Sequence, residues 1–296
     1  VNTMNPYFIN EPAAISFSGG RTSAFMLYKV LEAHDGKLPD DVKVTFANTG
    51  KEMPQTLDFV QACSDNWGVP ITWLESEIKP VDDPTPQKKF SYGYRIVNHA
   101  TASRNGEPFA NMLEAKKYAP SSTARFCTQD LKVKPMVSFL LDSGYEEYEP
   151  WLELLGIRYD EKIRAAKMHN KIRDKQLLWC PLYFDGVVKE DIQRFWDEQN
   201  FNLALPSVNG VTDWGNCDLC FLKGRNIRLS IMRERPDLAD WWVEQEEKMQ
   251  EYRPTKWVAG KSPFGGSSYK EMKVFATDQM NLFDFDDESI PCFCGD

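Results

Sequence analysis

The chain of 296 residues carries 44 acidic against 35 basic side chains, a formal net charge of −9, and 42% of its residues are hydrophobic. That composition supports a large globular core and counts against a general nucleic-acid-coating role, which depends on dense phosphate neutralisation. No apolar run approaches the roughly 18 residues that cross a membrane, and the first residues lack a basic-then-apolar leader, so the expectation is a soluble, cytoplasmic protein with no membrane partner.

Residues 1–12 read as a polar lead-in. The apolar run 13–17 predicts a strand, followed by Ser18-Gly19-Gly20-Arg21-Thr22-Ser23 and a helix over 22–34 with Ala24, Met26, Leu27, Val30 and Leu31 on one face. Two glycines between a strand and a helix let backbone approach a ligand closely, and the unpaired N–H groups of the helix start attract phosphate. Ser18, Thr22 and Ser23 add hydroxyls and Arg21 a charge; the alternative is an ordinary strand-to-helix turn. Further strands are predicted at 42–47, 71–74 and 151–156, with a helix over 57–67 that places Cys63 as a buried apolar residue. This alternation implies a doubly wound parallel sheet covered on both faces, with ligands at the carboxyl ends of the strands.

Residues 79–125 break the rhythm. They are rich in proline and in basic side chains such as Lys88, Lys89, Arg95, Lys116 and Lys117, interleaved with Tyr92, Tyr94, Phe109 and Tyr118. The segment reads either as a solvated insertion or as a lobe facing an anionic partner, with aromatics for base stacking. A helix over 187–196 follows, and 226–250 reads as helical, interrupted at Pro236. From Arg253 the glycine-rich stretch 260–267 reads as a linker, leading to an acidic run and the ending Cys292-Phe293-Cys294-Gly295-Asp296. The expected division is therefore 1–225, carrying the 79–125 insertion, and 226–296, a helical region with a mobile cysteine-bearing tail.

Seven cysteines in a chain of this size suggest metal or redox use rather than a disulfide framework. Cys217-x-x-Cys220 can offer two thiolates to one metal or act as a redox dithiol. His34, His99 and His169 share no ligand spacing.

Ser18–Ser23 resembles the PP-loop, whose pattern is Ser-Gly-Gly-x-Asp-Ser, found in N-type ATP pyrophosphatases. Asn48-Thr49-Gly50 with Glu52, Pro54 and Gln55 is similar to the second motif of phosphoadenosine phosphosulfate (PAPS) reductases. Gly156-Ile157-Arg158 with Arg164 resembles that family's Gly-Ile-Arg segment, and Pro181-Leu182 and Cys217–Cys220 follow in family order. The resemblance spans roughly 13–225 and implies an adenine nucleotide alpha-hydrolase-like fold. It implies nucleotide binding by Ser18, Gly19, Gly20, Arg21, Thr22, Ser23, Asn48, Thr49, Gly50, Gly156 and Arg158, with Arg158 and Arg164 gripping phosphate or sulfate. Thr22 and Asn48 stand where the family usually has acids, which removes negative charge from the expected magnesium position.

In one branch of the family, cysteines hold a [4Fe–4S] cluster. Carry-over implicates Cys127, Cys217 and Cys220, with Cys180 the candidate fourth ligand; zinc or plain thiols are the alternatives. PAPS reductases place a nucleophilic cysteine in a C-terminal tail, which makes Cys292 and Cys294 candidates for catalysis or sulfur carriage. The kept Ser-Gly-Gly core tilts the reading toward ATP and an adenylylation coupled to sulfur transfer, with magnesium. A sulfonucleotide reductase acting on APS or PAPS and a non-catalytic nucleotide-binding module are the alternatives. Expected partners are a sulfur-donor protein or thiol reductant, a nucleic-acid or small-molecule acceptor, and a second copy in a homodimer.

Overall fold

The short apolar run after Pro12 becomes β1 (Ala13–Ser16), the middle strand of a seven-stranded sheet in this computed structural model. The structure describes residues 5–85, 89–145, 150–173, 175–207, 212–253 and 260–278. On one side of β1, β2 (Val42–Asn48) and β3 (Ile71–Pro80) add in parallel, and β4 (Phe90–Val97) closes that edge antiparallel to β3. On the other side stands β5 (Trp151–Leu155), with β6 (Lys171–Arg173) and β7 (Gln176–Trp179) beyond it. β7 is parallel to β5, and β6 forms the antiparallel edge. The chain steps outward from β1 to β3 and then returns to the far side of β1. The order reversal between β1 and β5 opens a crevice at their carboxyl ends.

The helices are α1 (Arg21–Ala33), α2 (Pro54–Trp67), α3 (Glu107–Lys116), α4 (Phe126–Thr128), α5 (Lys134–Asp142), α6 (Lys162–Met168), α7 (Pro181–Phe184), α8 (Lys189–Asp197), α9 (Arg225–Glu234), α10 (Leu238–Tyr252) and α11 (Tyr269–Asp278). A π-helical stretch, Gln129–Val133, joins α4 to α5. Helix α2 shows why such segments stop where they do. Pro54 opens it, where a missing N–H is harmless, and Gly68 closes it in the left-handed region at φ 62°. Both sheet faces are covered, as alternation along β1 requires. Ala13 and Ile15 join the main core with Phe25, Leu27 and Val60, whereas Ala14 packs with Leu140, Tyr145 and Trp151 on the opposite face. Trp242, Phe264, Tyr269 and Met272 of the C-terminal region belong to the main core too.

The strands expected at 13–17, 42–47, 71–74 and 151–156 all form, within a residue or two at most ends. β3 runs six residues further and folds back on β4, so part of the 79–125 segment is a hairpin and another part is α3. Edge strand β4 is mostly half-exposed and alternates weakly, which is why its period did not announce a strand. The linker reading of 260–267 is corrected. Ser262 N–H donates to the Gly266 carbonyl at 3.1 Å and Ser268 N–H to that of Gly260 at 3.2 Å, closing a packed turn over buried Phe264. Glu246, itself buried, accepts from Ser268 Oγ at 2.9 Å and from Tyr269 N–H at 3.0 Å, and so caps α11.

Candidate functional site

The two loop glycines do different work. Gly19 sits at φ +80°, and a Cβ there would lie 2.7 Å from Thr56 Cγ2 and 3.2 Å from Phe46 and Val60, so the loop presses directly on α2. Gly20 is in extended backbone, φ −99° and ψ 163°, as the N-cap of α1. No side chain caps α1 and no acid stands in its first turn, which leaves its N-terminal dipole uncompensated. Ser23 Oγ donates to the Gly20 carbonyl at 3.0 Å, accepts from the Ser18 N–H at 3.2 Å and lies 2.9 Å from Ser18 Oγ. The loop is thus shaped by its own hydroxyls before any ligand arrives.

Next to the loop, a cavity of about 110 Å³ opens at the reversal between β1 and β5. Ser16, Phe17, Ser18, Ser23, Ala47, Leu155 and Gly156 line it from the sheet and loops. Thr128, Lys132 and Val133 line it from the segment leading into α5, Met136 from α5 itself, and Ile157, Arg164 and Met168 from the α6 side. Gly156 is required by contact, since a Cβ there would lie 3.0 Å from Ser23 Cα. The lining holds two cations, Lys132 and Arg164, and no carboxylate. Arg164 is 7% exposed; its Nη1 donates to Glu161 Oε1 at 2.6 Å, while its Nε is buried without a hydrogen-bond partner. A buried donor left open beside a cavity suits an anionic ligand.

Arg158 reaches Thr22 Oγ1 at 3.1 Å and forks onto Asp160 at 3.0 and 3.2 Å, which ties the Gly-Ile-Arg segment to the first turn of α1. Thr22, where an acid was expected, accepts that guanidinium.

Several sequence-predicted ligands turn elsewhere. Arg21 points away from the cavity, donating to Asn202 Oδ1 at 2.8 Å and the Leu203 carbonyl at 3.2 Å, because Trp196 and the α8 end pack against this turn. Asn48 is fully buried: it donates to Glu75 at 2.7 Å and the Ser103 carbonyl at 2.9 Å, and accepts from Gly50 N–H, so its amide is a brace. Thr49 is held by Glu52 at 2.8–2.9 Å. Gly50, at φ +77°, abuts Gly106 at the start of α3. None of these three lines the cavity, whereas Ala47, just before them, does. Sequence reading missed Ser16, Thr128, Lys132 and Met136. The last three recur at four-residue spacing, one helical face directly after Cys127, and that was the available signal.

The cysteines do not gather as expected. Cys217 is in the main core, with Cys127 and Cys220 packed against it, but Cys180 lies in a separate cluster with Ile157, Ala165, Met168 and Leu178. Among the described residues no three His, Cys, Asp or Glu side chains are arranged to hold a metal. The four-cysteine set therefore does not fit a [4Fe–4S] cluster. Burial pushes the Cys180 thiol up to about 12, and burial together with Glu52 raises that of Cys217 well above the usual range. Cys292 and Cys294 lie outside the described residues.

The family model for the phosphoadenosine phosphosulfate reductase domain matches residues 12–204, which contain the loop, the crevice and the segments that line it. The chain belongs to the phosphoadenosine phosphosulfate reductase domain family. Its PP-loop-type sheet and its nucleotide-binding character follow from that membership. The chain is also 32% identical over 215 residues to an uncharacterized nin region protein of Escherichia phage lambda, covering 71% of this chain and 65% of that protein. It is 25% identical over 249 residues to an uncharacterized protein of Methanocaldococcus jannaschii, covering 82% of this chain and 42% of that protein. The chain thus spans less than two thirds of the length of either relative. No helix among the described residues is long and apolar enough to cross a membrane.

Proposed function

We propose that this member of the PAPS reductase family binds ATP in the β1–β5 crevice and uses it to adenylylate an acceptor, in preparation for sulfur transfer. The observation that carries this reading is the cavity itself: an uncapped helix start on a Ser-Gly-Gly loop, joined to Lys132 and to Arg164, whose buried Nε–H has no hydrogen-bond partner. The base and ribose occupy the apolar depth, and the triphosphate lies along Ser18–Ser23. Lys132 and Arg164 neutralise charge that shifts onto the phosphates as an acceptor oxygen attacks the α-phosphorus and pyrophosphate leaves. A sulfur nucleophile then attacks the activated carbon, with AMP as leaving group. The lining offers no acidic ligand for magnesium, which would ride on the phosphates, and no step is assigned to an iron–sulfur cluster.

The family itself favours a second reading, reduction of APS or PAPS with release of sulfite. One experiment separates the two. The protein is supplied with ATP, APS and PAPS in parallel, together with a thiol reductant, and pyrophosphate, AMP and sulfite are measured. Pyrophosphate from ATP supports adenylylation, while sulfite from APS or PAPS without pyrophosphate overturns it.

A further inference from the structure

A carboxyl group stands in the middle of the sheet, where a central parallel strand is normally apolar. Glu153 on β5 is 2% exposed, and its two oxygens are held differently. Oε2 accepts from Gln176 Nε2 at 3.0 Å, a group that can only donate, whereas Oε1 is paired with the Ser16 hydroxyl. The buried indole N–H of Trp151 faces the same carboxyl without a formed hydrogen bond. The titratable and charged groups on the surrounding elements are Tyr145, Cys180, Lys132 and Arg164. The Tyr145 hydroxyl lies 2.8 and 2.6 Å from the Ala13 and Asp41 carbonyl oxygens, Cys180 packs in the α6 cluster, and the two cations line the cavity. None of these sets the acidity of Glu153: burial raises it to about 7, against the opposing pull of the Ser16, Trp151 and Gln176 donors.

Ser16 also lines the cavity, together with Lys132 and Arg164. A serine hydroxyl has one hydrogen and two lone pairs, and a protonated carboxyl is itself a donor. With Glu153 ionised, the serine hydrogen goes to Oε1 and a lone pair faces the cavity. With Glu153 protonated, the place of the proton is fixed. Oε2 already meets the Gln176 N–H, so the proton sits on Oε1 and is given to Ser16 Oγ. The serine hydrogen is then released to turn into the cavity. An anion held by Lys132 and Arg164 is repelled by the first arrangement and by the buried charge behind it, and is met by a donor in the second.

We propose that Glu153 sets the polarity of the cavity floor through Ser16, and that an anionic nucleotide binds there with uptake of a proton from solvent onto Glu153 Oε1. This rests on the nucleotide reading above and adds a proton to its binding step. No bond of the nucleotide changes in that step. Glu153 is a positioning residue: it acts on the ligand only by turning the Ser16 hydroxyl and by withdrawing its own charge. The sign follows from linkage, since a ligand that binds with proton uptake binds less tightly as pH rises.

The probe is ATP without magnesium or acceptor, titrated calorimetrically at pH 8 in two buffers of different ionisation enthalpy. At that pH a carboxyl titrating at about 7 is roughly one-tenth protonated, and a rise of about one unit in the complex makes it about half protonated. The parent should therefore take up about 0.4 proton per ATP more than Glu153→Gln. Over pH 7 to 9 the parent's affinity should fall about fivefold relative to that variant. Glu153→Gln is isosteric and keeps an N–H for Ser16, so at pH 7 it should bind ATP within about twofold of the parent. Ser16→Ala should lose the extra uptake as well, and it carries the comparison if Glu153→Gln does not fold. Equal uptake in the parent and Glu153→Gln, or full parental uptake in Ser16→Ala, overturns the inference while ATP binding stands. A parent that binds no ATP overturns both this inference and the nucleotide reading.

Discussion

Replacing Gly19 with alanine tests whether the loop conformation, and not merely its flexibility, builds the site. The residue sits at φ +80°, in the left-handed region, where a Cβ costs about 1–2 kcal/mol. That Cβ would also stand 2.7 Å from Thr56 Cγ2 and 3.2 Å from Phe46 and Val60, all on elements packed into the core. Overpacking of this kind adds about 1–3 kcal/mol, so the whole loss falls at roughly 2–5 kcal/mol. Gly20 supplies the control: its extended backbone suits any residue, and Gly20→Ala should change stability by about 0.5 kcal/mol or less. Urea unfolding followed by tryptophan fluorescence reads both, provided the slopes match. A Gly19→Ala protein as stable as its parent, or a Gly20→Ala protein equally damaged, would refute the reasoning.

Other outcomes follow from buried groups. Burial raises Glu153 from 4.5 to about 7, so its carboxyl favours the folded state while protonated. Its contribution is present below pH 4.5 and disappears as pH rises through 7, a change of about 3 kcal/mol. Glu153→Gln should remove that slope, read as urea midpoints at pH 5 and pH 8; an unchanged slope would show that the group does not titrate there. Lys51 and Asp218 form an ion pair at 2.9 Å with both side chains about 5% exposed. Lys51→Ala leaves Asp218 buried and uncompensated and should cost about 3–5 kcal/mol of stability, an effect that near-parental unfolding would contradict. Because Cys180 lies in a different apolar cluster from Cys217, Cys180→Ala should keep whatever iron the anaerobically purified parent holds. Loss of iron in that variant would contradict the separation.

The strands and the loop were legible because their signals are local: Ala13–Ser16 is apolar, Gly19-Gly20 follows at once, and α1 has a clear apolar face. Gly19 and Gly156 were singled out as ligand-binding positions, whereas what requires glycine there in the fold is contact with Thr56, Phe46 and Val60 and with Ser23. The errors came where side-chain direction depends on distant partners. Arg21 opens α1 and Asn48 ends β2, but they bond to Asn202 and Glu75, and nothing near them in sequence says so. Lys132 was hidden because it joins the site from a π-helical stretch outside the recognised motifs. Cys180 failed for the opposite reason: its place in the chain suggested proximity to Cys217, but β7 delivers it to another cluster.

The account stands or falls on where a nucleotide sits, and amide hydrogen exchange with and without ATP measures that directly. Protection is predicted in three separated stretches, residues 16–24, 128–136 and 155–168, because these, together with Ala47 at the end of β2, line the cavity beside the uncapped start of α1. Protection confined elsewhere, for example to the open cleft between Lys89, Tyr92 and Lys116, or none at saturating ATP, would contradict the β1–β5 crevice as the nucleotide site.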